Sequence, residues 1–202
     1  MPRLCPVRVA IAAGAVLWAA ASVLGYPKPA AVAQRWELQF EPGPLRLIVD
    51  KPTSTSYWYF TYKVTNRTGH EQVWAPRFTL FTDAGEILTS GRRVPGRVTA
   101  DIMELLGNEL LENQNQIIGE IFYGREHAKE GLVVWPALNV QVNELSMFVE
   151  GLSGEKAAVR HPITATEVLL SKTLQRDYLI RGNAPARGSK PIELVGQSWV
   201  MR

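Results

Sequence analysis

The sequence predicts a mainly β protein, an antiparallel immunoglobulin-like β-sandwich with one short interposed helix, and three observations carry that prediction. Across residues 57–88 side chains alternate between more and less apolar, and the breaks fall on turn residues. Runs of this kind recur along the chain with turn signals every ~8–12 residues, about nine or ten short strands in all, which is the spacing of a sandwich. Only residues 99–112 carry a helical repeat. Closure into a barrel is the alternative arrangement of the same strands.

Residues 36–41 and 45–50 are strand candidates separated by Pro42-Gly43-Pro44, read here as a breaker because proline cannot donate to a ladder. In the next strand Trp58, Phe60, Tyr62 and Val64 share one parity and Tyr57, Tyr59, Thr61 and Lys63 the other. The first set therefore faces a partner sheet, joined by Phe78 and Leu80. Tyr57 and Tyr59 are either a solvent-facing aromatic pair, as a carbohydrate-binding surface would need, or buried between two sheets. Asn66-Arg67-Thr68-Gly69 and Asp83-Ala84-Gly85 place glycine where a turn wants positive φ.

A basic loop at 92–97 leads into the helical segment, where Ile102, Leu105, Leu106 and Leu110 recur at three- and four-residue steps. Thr99 is the expected N-cap, Asp101 and Glu104 suit the first turns, and Gly107 is a weak point. Strand character resumes at 116–123, 131–135 and 142–151, then at 167–173 and 178–181. A Gly/Asn/Pro/Ala-rich loop at 182–190 precedes a closing strand at 192–201. Residues 34–202 read as a single β-sandwich domain with a C-terminal strand extension.

Residues 1–33 read as a targeting element. Arg3 and Arg8 precede an uncharged 17-residue run at 9–25, followed by small-residue sites at Val23-Leu24-Gly25 and Ala31-Val32-Ala33. This is a signal peptide, or an N-terminal anchor if it is not cleaved, since the run reaches the ~17-residue lower limit for a membrane-crossing helix. Cys5 lies ahead of the apolar run rather than after it, which argues against lipidation. It is also the only cysteine, so the remaining chain has no disulfide despite an oxidising destination.

The net charge of +3 equals the contribution of Arg3, Arg8 and Lys28, and residues 34–202 carry 19 basic and 19 acidic side chains. Their distribution is uneven: +3 over 34–100, −8 over 101–155 and +5 over 156–202. Such signs are expected to complement one another between neighbouring elements. Nucleic acid is not an expected partner, because the aromatics follow strand pattern instead of interleaving with clustered basic residues. Trp36, Trp58, Trp74, Trp135 and Trp199 all sit in strand-like runs and read as core.

Thr65-Asn66 with Thr68-Gly69, then Phe78-Thr79-Leu80-Phe81 with Asp83-Ala84-Gly85, resembles the strand, Asn, Gly, FxLY, D-x-x-G succession of bacterial envelope sandwich domains of FxLYD type. Gly131-Leu132-Val133-Val134-Trp135 is similar to a later strand of such modules, so the resemblance spans residues 57–152. The helix at 99–112, Thr82 before the Asp and the C-terminal extension depart from that pattern. The whole chain also resembles secreted proteins of planctomycete-type bacteria. The resemblance implies an extracytoplasmic, non-enzymatic module involved in interaction, and it brings no catalytic residue with it.

Chemistry-bearing residues are sparse. His70, His127 and His161 have no second His or Cys at metal-ligand spacing. The best local cluster, His127 with Glu126 and Glu130, reads as an exposed charged turn at 125–130. Ser153 lacks the spacing of an activated nucleophile, and Glu104, Glu109, Glu112 and Glu120 qualify as paired carboxylates only by abundance. Asn66-Arg67-Thr68 is a formal glycosylation sequon set in a turn. The expectation is therefore a secreted or envelope-associated module that binds or scaffolds an envelope protein or polysaccharide, with no catalytic residue, cofactor or metal site, and with membrane contact only through an uncleaved leader. The alternative is an extracytoplasmic hydrolase, for example carbohydrate-processing, with a site assembled from scattered acids.

Overall fold

A computed structural model describes residues 26–202, so residues 1–25 of the expected targeting element at 1–33, including its apolar run, lie outside the described residues. Two sheets, antiparallel except for one parallel pair, face each other. The first has the order β1 (Gln39–Asp50), β2 (Thr55–Asn66), β8 (Gly124–Pro136), β6 (Leu111–Asn113). The second runs β10 (Lys156–Arg160), β11 (Glu167–Leu179), β9 (Glu144–Glu150), β4 (Arg77–Thr82), β5 (Ile87–Thr89), with β12 (Glu193–Met201) also paired to β11. A small ladder joins β3 (Gln72–Trp74) to β7 (Gly119–Ile121), and α1 (Gly96–Leu106) is the single α-helix among the described residues.

The period-two reading holds. Trp58, Phe60, Tyr62 and Val64 pack with Phe78, Leu80, Leu145, Met147 and Val149 in one core between the sheets. Phe40, Phe60, Tyr62 and Phe78 form a cluster of rings with centroids 4.8–6.4 Å apart. Gly131 sits opposite Tyr62 on β8, and a Cβ there would drive into the Tyr62 ring. The five expected core tryptophans are all buried or packed against this core.

Tyr57 and Tyr59 are buried, but not between the sheets. They lie with Val98, Ile102, Leu111, Leu132 and Val134 in a second core, between the outer face of the first sheet and α1. The molecule is thus a sandwich with a helix laid on one side, and no aromatic pair faces solvent at that strand. Arg97 fastens the helix by a two-pronged bond, Nη1 to Asp50 Oδ1 at 2.8 Å and Nη2 to Asp50 Oδ2 at 2.6 Å.

Several expected boundaries move. Pro42-Gly43-Pro44 does not end a strand: β1 runs through it as a bulge between Pro42 and Leu45. This is tolerated because β1 is the sheet's edge and the missing donors cost no ladder bond. The helix is shorter than 99–112; Pro95, not Thr99, is its N-cap, and Gly107 at φ 59° is its C-cap rather than a weak point in it. Leu105 and Leu110 are exposed, and Leu111 begins a strand parallel to β8. The presumed turn at 125–130 is the first half of β8. Residues 167–179 form one strand rather than two, and β10 is a further strand.

Candidate functional site

The side chains that could have carried chemistry are dispersed. His70 and His127 are exposed, and His161 accepts the Thr164 backbone amide at 3.2 Å on Nδ1 within the β10–β11 turn. His127 approaches Glu126 at 3.9 Å, but Glu130 is engaged elsewhere, by Lys63 at 3.2 Å and Asn108 at 2.6 Å. Those two donors hold the Glu130 carboxyl below its ordinary range, the wrong direction for a general acid. Glu104, Glu109 and Glu120 are exposed on different elements, and Glu112 is half-buried 4.0 Å from Lys129. Among the described residues no group of three metal-ligating side chains converges. A cleft of about 540 Å³ is lined by Trp36, Arg77, Glu150 and Lys156, and its one carboxylate, Glu150, is paired with Arg77 at 3.6 Å.

The sequon residue Asn66 is completely buried. Its Nδ2 donates to His70 O at 2.7 Å and Ile121 O at 2.8 Å, and its Oδ1 accepts from Thr68 N and Oγ1. The nitrogen a glycan would need is committed to the fold. Ser153 Oγ likewise accepts the Glu155 amide at 3.2 Å in a buried turn.

The feature that sequence reasoning missed is the margin formed by β11 and β12. Ser171 and Arg202 exchange both backbone hydrogen bonds, so with the regular register that follows, 173:200 and 175:198 are also hydrogen-bonded pairs. The alternate residues Gln197, Trp199 and Met201 therefore turn their N–H and C=O groups away from β11. Met201 O is taken by the Tyr26 hydroxyl, while the outward groups of Gln197 and Trp199 have no backbone partner among the described residues. Other long edges carry a blocking device, as β1 does with its two prolines. Beyond its bulge opposite Asp177 and Tyr178, β12 has neither proline nor lysine.

The inner face of this margin holds two buried cations, two rungs apart on β11. Lys172 is 2% exposed and is enclosed by Glu37 at 2.9 Å, Glu155 at 3.5 Å, the Ala30 carbonyl at 3.3 Å and the Trp199 ring, its centroid at 4.9 Å. Arg176 is 6% exposed and has no carboxylate within ion-pair distance among the described residues. Its Nε donates to the Tyr178 hydroxyl at 2.9 Å and its Nη1 to Gln197 Oε1, both neutral acceptors. Burial pushes the Tyr178 hydroxyl up from its ordinary value, so it stays protonated and supplies no countercharge.

No family model, curated protein or solved structure matches the chain.

Proposed function

We propose that this chain is an exported, non-catalytic module that binds or scaffolds another envelope component, and that the component docks along β12. The open edge carries this reading: unpaired backbone groups at Gln197 and Trp199 are a template for an added strand. Val195, 56% exposed, and the partly buried Trp199 lie beside it and would be covered by such a strand. The leader pattern at 1–33 and the resemblance to FxLYD-type envelope domains support an envelope location. The dispersed acids and histidines favour binding over hydrolysis, because function follows from a site rather than from a fold.

A photo-crosslinking amino acid at position 195, in cells that make the protein, tests the docking. A discrete adduct from position 195, absent from the still more exposed position 73 and lost in Gln197→Pro, is expected. No adduct at 195, or turnover of ester, peptide or glycoside substrates that His127→Ala abolishes, would contradict the reading.

A further inference from the structure

Resting on that reading, we infer that the segment added to β12 is an extended peptide carrying a carboxylate opposite Gln197, and that Arg176 is the residue that reads it. The two buried cations of the margin make the comparison. On one inner face, Lys172 is matched by two carboxylates from its own chain, whereas Arg176, two rungs along and as deeply buried, is matched by none. A buried charge without a counter-charge is costly, and proteins avoid it unless another component completes the pair.

The geometry places the missing partner at the edge. Arg176 and Gln197 are directly opposite each other in a non-hydrogen-bonded pair, and the guanidinium Nη1 donates to the side-chain oxygen of Gln197 on the edge strand. Its Nη2 has no hydrogen-bond partner among the described residues and meets solvent, so it is free to take one from outside. Because Gln197 points its backbone groups outward, an added strand would set one residue across from it, with that side chain on the same inner face as Arg176. Two strand spacings, about 9.6 Å, separate the backbones. A guanidinium extended from one side and a Glu side chain from the other span that gap and meet in a charge-assisted pair. Neighbouring inner-facing positions of the strand would meet Trp199 on one side and, past the bulge, Leu194 opposite Tyr178 on the other, which favours apolar residues on either side of the acid. A second copy of this chain in two-fold register would set Gln197 against Gln197 and leave Arg176 unmatched, which is why an acidic partner is the better fit.

The test uses two labelled seven-residue peptides of alternating Thr and Val, with Glu or Gln at the central, inward-facing position. Their affinities for the purified exported protein are measured by fluorescence polarisation. We expect the Glu peptide to bind at least about tenfold more tightly than the Gln peptide, roughly 1.4 kcal/mol. Arg176→Met should erase that difference, Gln197→Pro should abolish binding of both, and Gln197→Thr, which keeps the backbone donor, should retain it. Equal affinities for the two peptides on the unaltered protein would overturn the reading of charge by Arg176 while leaving strand addition standing. Absence of binding at millimolar peptide, binding that survives Gln197→Pro, or a dimer of the protein that Gln197→Pro dissolves would overturn the acidic-strand assignment altogether.

Discussion

Asn66 joins three pieces of backbone, the carbonyls of His70 and Ile121 and the amide of Thr68, through one buried side chain. Replacing it with alanine would remove the side-chain donor to the buried Ile121 carbonyl and the acceptor of the Thr68 amide, while His70 O keeps the Thr68 hydroxyl at 3.0 Å, at about 1–3 kcal/mol for a lost buried partner. Asn66→Ala should therefore lower the denaturant midpoint markedly, and mass spectrometry should find no glycan at Asn66 even in a glycosylating host. Trp58 and Phe60 are fully buried, so truncating either to alanine should cost about 3–5 kcal/mol. Lys63→Ala, removing a half-exposed partner of Glu130, should cost at most about 1 kcal/mol by the same denaturation curves. Equal small effects at 58, 60 and 63 would show the face assignment to be wrong. These positions were legible because strand geometry turns parity into burial. Tyr57 and Tyr59 were only half legible: their burial depends on a helix arriving some forty residues later, which no local pattern encodes.

At the scale of elements, α1 stays on the sheet through its apolar face and through Asp50. The Arg97 guanidinium and the Thr53 hydroxyl hold the Asp50 carboxyl at about 2, against an ordinary 3.8. A depressed carboxylate contributes stability that is fully present above its ordinary value and is lost as pH falls through the folded one. Between about pH 4 and about pH 2 the native protein should lose this contribution, whereas Asp50→Asn should show a flatter profile and converge with it near pH 2. Urea midpoints against pH measure both. A profile that Asp50→Asn leaves unchanged would remove the staple from the account. The elements that sequence analysis displaced share a cause. Pro42-Gly43-Pro44 breaks a central strand but not an edge strand, and residues 125–130 are charged yet paired, because Lys63 on β2 and Glu112 on β6 neutralise Glu130 and Lys129. Whether a strand is edge or centre is a property of the assembled sheet, so the chain's own signals could not decide it.

At the scale of the whole molecule, the alternating charge of the sequence becomes complementarity between segments: Lys63–Glu130, Arg77–Glu150 and Lys172–Glu155 each link the acidic stretch 101–155 to a basic one. The N-terminal strap takes part, since Tyr26 bonds Met201 and Ala30 bonds both Glu155 and Lys172. Cleavage after Ala33 would discard those contacts, so under the proposed export N-terminal sequencing of the mature protein should read Tyr26 first. A sequence beginning at Gln34 would show the strap to be dispensable, and retention of Met1 would indicate an anchor. The β11–β12 margin, the proposed docking edge, was illegible in the sequence, because an open edge and a cation without a carboxylate partner are relations between strands distant along the chain. Amide hydrogen exchange along β12 of the isolated protein tests the central claim most directly. The amides of Ser198 and Val200, bonded to β11, should be protected while those of Gln197 and Trp199 exchange at rates near those of free peptide. Protection at 197 and 199 equal to that at 198 and 200 would mean that the edge is already covered, and would contradict docking there.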